Sequence, residues 1–379
     1  PGSMEVIGDE ENELFYADMH FIAEQRRQAN ALQSQLKALP KGSPEAETKQ
    51  QELAAINDKV QNYRQQFLAE HPDFLYAKML KALEEPQVPE PPKNADGSLV
   101  DSLFAFTYYR AHFFDNFDFS DDRLLRTPIF QQKINQYMDK LTAKLPDSIA
   151  VAADHLIELS RSNDEVFRYM VVHFLNKYAN SKIMGMDGVY VHLVEKYYLS
   201  GDAWWADEET LKKMEERAKA ISPTLINRKA PNFWVPDANG QRQTLHEQAG
   251  EFTVLYFWDI DCGHCKKVTP KLSEAFRQYH NHDIRLMTVS INGDQAGWEK
   301  RLEEYGLTGQ PNTTHTHDPL RQSQFDGWYD LRSTPRLFLL DKEKKIVAKQ
   351  ISVFQMQEIL NRALDLPAPE RDEAAEAGK

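Results

Sequence analysis

Two cysteines, Cys262 and Cys265, are the only cysteines in the 379-residue chain, and two residues separate them. They follow an apolar, β-branched and aromatic run, Thr253–Trp258, which has the length and composition of a buried strand. Asp261 is a suitable helix N-cap, so Cys262 is predicted to be the first residue of a helix. Because helical residues three apart share a face, the two sulfurs can meet and form a disulfide.

This placement favours a reactive thiol at Cys262. A helix N-terminus carries partial positive charge, and in a Cys-x-x-Cys context a thiol pKa falls from about 8.5 to roughly 3.5–7.5. His264 and Lys266 add groups that are or can become cationic, whereas Asp259 and Asp261 act in the opposite direction. We therefore predict a lowered Cys262 pKa that is tuned by these neighbours, without a predicted size.

A metal site is the alternative reading of the same cysteines, since Cys-x-x-Cys is also half of a zinc site. His280 and His282 follow at a suitable distance, but zinc-finger histidines are normally three to five residues apart. The strand-to-helix junction favours a redox pair. A second pair, His315 and His317, is predicted to lie in a polar loop, where histidines are usually solvated. The sequence therefore predicts no metal and no cofactor.

The elements before this junction are predicted to be helical. Residues 10–69 form a helical hairpin that is broken at Pro40–Pro44, with Ser43 as the N-cap of the second helix. An irregular helical bundle follows, so that residues 5–221 form an all-α domain. Residues 222–229 are the predicted linker, and residues 367–379 are a predicted disordered acidic tail. Pro1–Met4 is interpreted as a cloning remnant.

Several motifs occur in a recognisable order along residues 230–366. They are Ala230–Phe233, Phe257-Trp258, Cys262-Gly-His-Cys265, Pro270, the strand Ile284–Ile291, and Ser333–Asp341. Together they resemble a thioredoxin-like domain of the TlpA/ResA type, the thiol–disulfide oxidoreductases of the bacterial envelope. The dipeptide Gly263-His264 is the one found in protein disulfide isomerases.

The resemblance implies an α/β thioredoxin-like fold, with a central mixed sheet flanked by helices, so that the whole chain is α+β. It implies that Cys262 attacks a partner's disulfide and that Cys265 resolves the mixed disulfide. It also implies that the Thr334–Pro335 peptide is cis and faces the cysteine pair. The substrate-binding residues that it implies are Trp258, Gly263, Thr334 and Pro335.

Three positions depart from the pattern of these families. Asp261 stands where thioredoxins often have tryptophan. Tyr256 and Val268 replace two acids, either of which would accept the proton of the resolving thiol in relatives. The base for Cys265 therefore stays unassigned, with water and His264 as candidates.

The resemblance also implies partners and a location. The partners are disulfide- or dithiol-containing proteins and a membrane thiol–disulfide electron donor, and the location is the bacterial periplasm or cell envelope. A signal segment or lipid anchor is expected to lie outside this sequence. The net charge of −13 and the absence of a basic stripe argue against nucleic acid as a partner.

Two matters of function remain open at this point. The Gly-His dipeptide favours an oxidising pair, whereas the resemblance implies a reductant. A client-binding or redox-sensing protein, with the thioredoxin-like domain as a scaffold, is the alternative to an enzyme. Peroxiredoxin chemistry is disfavoured, because its hydroxyl residue and proline are replaced here by Asp259 and Leu255.

Overall fold

The structure is a computed structural model that describes residues 7–370. The remnant predicted at residues 1–4 lies outside this range, as do residues 371–379 of the predicted acidic tail. The chain divides into two compact units, one comprising residues up to 142 with 156–167, the other comprising 143–155 with 168 onwards. None of the helices within the described range combines the length and apolar character that a membrane span requires.

The predicted helical hairpin is confirmed in the first unit. Helix α1 spans Glu10–Ala38 and helix α2 spans Pro44–Glu70. Ser43 is the N-cap of α2 and accepts a backbone hydrogen bond through its side chain, as predicted. Phe21 and Tyr63 stack with their ring centroids 4.2 Å apart, which joins the two helices.

Further helices precede the sheet, and they confirm the predicted helical character of this region. A π-helical turn, Val194–Tyr198, continues the sixth of them. These helices are α3 (Leu75–Ala82), α4 (Phe104–Ala111), α5 (Pro128–Lys140), α6 (Pro146–Leu159), α7 (Asp164–Ala179), α8 (Asp187–Leu193) and α9 (Glu208–Ile221).

The second unit contains a mixed five-stranded sheet, which confirms the predicted fold class. A short hairpin of β1 and β2 precedes it, with its turn at Asp237–Gly240. The sheet order is β5-β4-β3-β6-β7, in which β3, β4 and β5 are parallel and β6 and β7 are antiparallel to their neighbours. The strands are β1 (Trp234–Pro236), β2 (Arg242–Thr244), β3 (Phe252–Trp258), β4 (Ile284–Ser290), β5 (Thr313–His317), β6 (Arg336–Asp341) and β7 (Ile346–Lys349).

The central strand β3 is buried on both faces. Side chains alternate along a strand, so Val254, Tyr256 and Trp258 face one core, which includes residues of the helices α10 (Gly263–Phe276), α11 (Gln295–Glu304) and α12 (Val353–Ala363). Leu255 and Phe257 face a second core on the other side of the sheet. Replacing a buried aromatic such as Trp258 by alanine would cost about 3–5 kcal/mol. This packing fixes the end of β3, which the cysteines follow.

The prediction that His315 and His317 lie in a polar loop is wrong, because both belong to β5. The His315 ring bridges the Thr288 hydroxyl, at 2.9 Å from Nδ1, and the Leu307 carbonyl, at 3.2 Å from Nε2. His317 stacks on Trp298 with ring centroids 5.0 Å apart. The strand was predicted as a loop because all of its residues are polar. In the structure these polar side chains have hydrogen-bond and stacking partners inside the protein.

Candidate active site

The cysteine pair lies where β3 passes into α10. Cys262 is the N-cap of α10, with φ −64° and ψ 121°, and Gly263 is the first helical residue. The prediction of Asp261 as N-cap is therefore wrong by one position. The physical reason is that the Cys262 sulfur itself accepts the Cys265 backbone N–H, at 3.4 Å. The Asp261 N–H instead donates to Asp259 Oδ1, at 2.8 Å.

The two sulfurs have different access to solvent. Both thiols are free, Cys262 is half-buried, and Cys265 is completely buried. The Cys262 sulfur lies 3.5 Å from the Thr334 carbonyl oxygen. The Thr334–Pro335 peptide is cis, as the resemblance implies. A partner molecule can therefore reach Cys262 directly, beside the cis peptide, whereas Cys265 has no exposed surface.

The pKa of the Cys262 thiol is lowered. Partial burial acts to raise it, but hydrogen bonds from the Cys265 backbone, the Thr334 side chain and the His264 backbone outweigh this effect. The predicted direction is thus confirmed. The side chains of His264, Lys266 and Asp261 are exposed, and their part in the tuning stays a prediction.

The pKa of the Cys265 thiol moves in the opposite direction. Burial raises it to about 12, and hydrogen bonds from the Asp259 backbone and the Thr334 side chain offset only part of this effect. At neutral pH, Cys262 is therefore the better thiolate and Cys265 is a protonated thiol. The thiolate is the nucleophile in disulfide exchange, so the exposed sulfur is the one that can attack.

The buried side of the pair is lined by neutral groups. Tyr256 is completely buried, and its hydroxyl lies 2.9 Å from Thr269 Oγ1, which is also buried. Burial raises the pKa of Tyr256 further above its usual value, so this hydroxyl can donate a hydrogen bond but is not a base at neutral pH. Val268 is half-buried and apolar. The base for Cys265 therefore remains unassigned.

The predicted substrate-binding residues do not all lie on one surface. Gly263 is exposed, and Thr334 and Pro335 are partly exposed. Trp258 is completely buried and packs edge-on against Tyr305, with ring centroids 6.0 Å apart. The structure therefore places Trp258 in the core rather than on the substrate-facing surface. It is the last residue of β3, and its side chain faces the core that includes residues of α10, α11 and α12.

The sequence reasoning missed one partner of the active-site turn. Asn292 Nδ2 lies 3.3 Å from Asp259 Oδ2, although the two residues are 33 positions apart in the sequence. A signal for this contact was present, since carboxyl ends of neighbouring parallel strands meet at one edge of a sheet and Asn292 follows β4 closely. Between residues 7 and 370, no group of three or more His, Cys, Asp and Glu residues is arranged to hold a metal ion.

Comparison with known proteins places two families on this chain. Residues 41–221 match DUF5106, a domain of unknown function, and residues 226–349 match the AhpC/TSA family. The thiol–disulfide oxidoreductase ResA of Geobacillus thermodenitrificans is 27% identical over 135 residues, which cover 35% of this chain and 70% of the relative. ResA of Bacillus subtilis is 29% identical over 118 residues, which cover 31% of this chain and 63% of the relative.

A solved structure extends the likeness beyond the sheet domain. The crystal structure of a thioredoxin-like protein from Bacteroides caccae aligns with a TM-score of 0.52 and 20% identity. It covers 73% of this chain and 97% of its own chain, and it shows the fold alone. The chain is therefore homologous to ResA-type thiol–disulfide oxidoreductases over its AhpC/TSA, thioredoxin-like domain, and a DUF5106 domain precedes that domain.

Proposed function

We propose that this protein exchanges disulfides with protein substrates through the pair Cys262 and Cys265. The observation that carries the proposal is the contrast between the two sulfurs. Cys262 is accessible and its pKa is lowered by hydrogen bonds at the start of α10, whereas burial raises the pKa of Cys265 to about 12. An accessible thiolate beside a buried thiol is the arrangement that a two-step exchange requires.

The exchange proceeds by two displacements at sulfur. The Cys262 thiolate attacks one sulfur of a substrate disulfide, the substrate S–S bond breaks, and the other substrate sulfur leaves as a thiolate that takes up a proton. Cys265 then loses its proton and attacks Cys262 in the mixed disulfide, which releases the second substrate thiol. The substrate gains two electrons and two protons, and the protein is left with a Cys262–Cys265 disulfide. The reverse sequence oxidises a substrate dithiol.

The surface around Cys262 suits an extended substrate segment. The Thr334 carbonyl lies 3.5 Å from the Cys262 sulfur, so a substrate backbone can align beside the cis peptide. Gly263 has no side chain, and a Cβ added there would have no atom within 4 Å, which leaves open space next to the nucleophile. We assign substrate contact to Gly263, Thr334 and Pro335 on these grounds.

The cellular setting is also part of the proposal. We place the protein in the bacterial periplasm or cell envelope, with disulfide- or dithiol-containing proteins as substrates and a membrane thiol–disulfide electron donor. The ResA relatives support the substrate class through their names as thiol–disulfide oxidoreductases, whereas the location and the electron donor rest on the resemblance to the TlpA/ResA type. We propose that the helical region, residues 5–221, is joined by residues 222–229 to the exchange domain at 230–366, although residues 143–155 and 168–221 group with the sheet in one compact unit.

Trapping of the mixed disulfide tests this function. In Cys265→Ser the first displacement can occur but the second cannot, so a peptide with an internal disulfide should accumulate as a covalent adduct on Cys262. The matched variant Cys262→Ser should form no adduct, because its remaining thiol is buried and protonated. Mass spectrometry of non-reduced samples gives both results. Equal labelling of the two variants, or no labelling of either, would overturn the proposal.

A further inference from the structure

Asp259 contacts the active-site turn through both its backbone and its carboxylate. Its carbonyl oxygen accepts the Cys262 N–H at 3.3 Å, and its Oδ1 accepts the Asp261 N–H at 2.8 Å. The Asn292 amide donates to the same carboxylate, at 3.5 Å from Oδ1 and 3.3 Å from Oδ2. Hydrogen bonds to a charged acceptor are stronger than those between neutral groups. One side chain therefore joins the turn to a neighbouring loop.

That neighbouring loop is itself held against the end of β3. The N–H of Ile291 donates to the Trp258 carbonyl at 3.0 Å, which extends the pairing of β3 with β4 by one step. The next residue but one, Gly293, has φ +90°, and a Cβ there would lie 2.0 Å from Ile260 Cδ1. Ile260 therefore packs on a position that only glycine can occupy.

Polar and apolar contacts thus hold the same two loops together. The carboxylate of Asp259 meets Asn292, and the side chain of Ile260 meets Gly293. The Asn292 carbonyl also accepts a hydrogen bond from His317 Nε2, at 3.3 Å, so the loop is tied to β5. The turn from Asp259 to Cys262 has little freedom to change its dihedral angles under these constraints.

We propose that Asp259 is a positioning residue, which with Asn292 holds the turn so that the Cys262 sulfur stays at the N-cap of α10. The inference deepens the proposed exchange function and rests on it. At this position the sulfur accepts the Cys265 N–H, at 3.4 Å, and gains the hydrogen bonds that lower its pKa. The Asp259 carboxylate has two opposite effects on the Cys262 thiolate. Its negative charge disfavours the thiolate, whereas its hydrogen bonds favour the thiolate by keeping the sulfur in place.

Three variants separate the two effects. Asp259→Ala removes the charge and the hydrogen bonds, whereas Asp259→Asn removes the charge but retains an acceptor for the Asp261 N–H, and the Asn292 amide can turn to complete the pair. Asp261→Asn removes an exposed neighbouring charge and serves as the charge control. The readout is the pH at which Cys262 alkylation by iodoacetamide is half-maximal, resolved from Cys265 by mass spectrometry.

Positioning predicts that, of these three variants, only Asp259→Ala raises the alkylation midpoint of Cys262. Asp259→Ala should raise the alkylation midpoint of Cys262 by about one pH unit, which is a tenfold loss of thiolate below the midpoint. Asp259→Asn should stay within about 0.3 unit of the parent protein, as expected for rescue by a conservative change. An unchanged or lowered midpoint in Asp259→Ala would overturn the proposal, as would an equal upward shift in both Asp259 variants.

A fourth variant, Asn292→Ala, keeps the test decisive where Asp259→Ala does not fold. Asn292→Ala removes only the partner of the carboxylate, and it should raise the midpoint in the same direction by a smaller amount. If folded Asn292→Ala has the same alkylation midpoint as the parent protein, the proposed positioning of Cys262 by Asp259 and Asn292 is contradicted. These midpoints are measured on the reduced protein, so they do not depend on disulfide formation. A parent protein that forms no intramolecular disulfide would contradict the exchange function but not the positioning of Cys262.

Discussion

Two helices begin at the same edge of the sheet, and different atoms cap them. Helix α11 follows the strand β4, and its N-cap is Asp294, whose carboxylate accepts the Gly297 N–H at 2.7 Å. Helix α10 follows the parallel strand β3, and its N-cap is Cys262, whose sulfur accepts the Cys265 N–H at 3.4 Å. Both junctions therefore lead from a parallel strand to a helix whose N-cap side chain accepts a backbone N–H.

The difference lies in what the capping atom can do. A carboxylate is a strong acceptor that satisfies a free N–H and stabilises the helix, typically by about 1 kcal/mol relative to alanine. A thiol sulfur is a weak acceptor, but as a thiolate it gains from the same N–H groups and from the helix dipole. At α10 the junction therefore stabilises a reactive anion, whereas at α11 it stabilises the helix.

The largest expected effect is on exchange activity. Cys262→Ala removes the attacking sulfur and should lower the rate of reduction of a disulfide peptide by at least about a thousandfold, as loss of a nucleophile does in other enzymes. Asp294→Ala removes the cap of the neighbouring helix and should leave the rate within about twofold of the parent protein. Steady-state assays of both variants check this contrast. Comparable losses in the two would mean that the junctions do not differ in function.

The next effect concerns strand β5, where a partly buried histidine, His315, rather than a thiol responds to pH. Burial lowers the pKa of His315 to about 4, while its two ring nitrogens are occupied by Thr288 and Leu307. In the unfolded chain the pKa is about 6.5, so the unfolded state binds the proton first as the pH falls. Stability is therefore fully present above pH 6.5 and is lost as the pH falls towards 4, by about 3 kcal/mol in total.

Urea unfolding at several pH values between 7 and 4 tests this sign. The parent protein should lose more stability across this window than His315→Gln, which cannot take up the proton. The reduced form is used in both cases, so that the cysteines do not contribute a crosslink. An identical slope in the two proteins would show that His315 does not govern the acid response.

The smallest effects are those of the caps on stability. Asp294→Ala should lower the free energy of unfolding by about 1 kcal/mol, because one N–H of α11 loses its acceptor. Cys262→Asp should raise it, by up to about 1 kcal/mol, because aspartate is among the preferred N-cap residues. Thermal unfolding of both reduced variants measures the two signs. A loss of stability in Cys262→Asp would contradict the view that the sulfur is kept at this position for chemistry.

Local sequence signals were enough for much of this architecture. The strand β3, the β1–β2 hairpin and the break before α2 each follow from a few adjacent residues, such as the Ser43 cap with its following proline. The cap of α10 was missed by one residue, because cysteine is not a usual cap and Asp261 is. Trp258 was assigned to substrate contact by its motif position, although its place in the predicted buried strand Thr253–Trp258 already indicated that it lies in the core.

Contacts between distant segments were beyond these signals. Asp259 and Asn292 meet because β3 and β4 lie side by side, so the sequence indicates this contact only once the two strands are known to be parallel neighbours. His315 and His317 were assigned to a loop because their polar neighbours conceal the strand. In both cases the polar groups have internal partners, which composition alone does not reveal.

An equilibrium redox titration tests the central claim most directly. The pure protein is equilibrated in glutathione buffers of graded potential, free thiols are trapped, and the products are resolved by mass spectrometry. The account predicts one two-electron transition between the dithiol and the Cys262–Cys265 disulfide, with a midpoint in the range of about −270 to −120 mV spanned by known exchange proteins. A midpoint near the lower value would assign a reductant, and one near the upper value an oxidant. Thiols that stay free across this range, or a glutathione adduct that never resolves, would contradict the account.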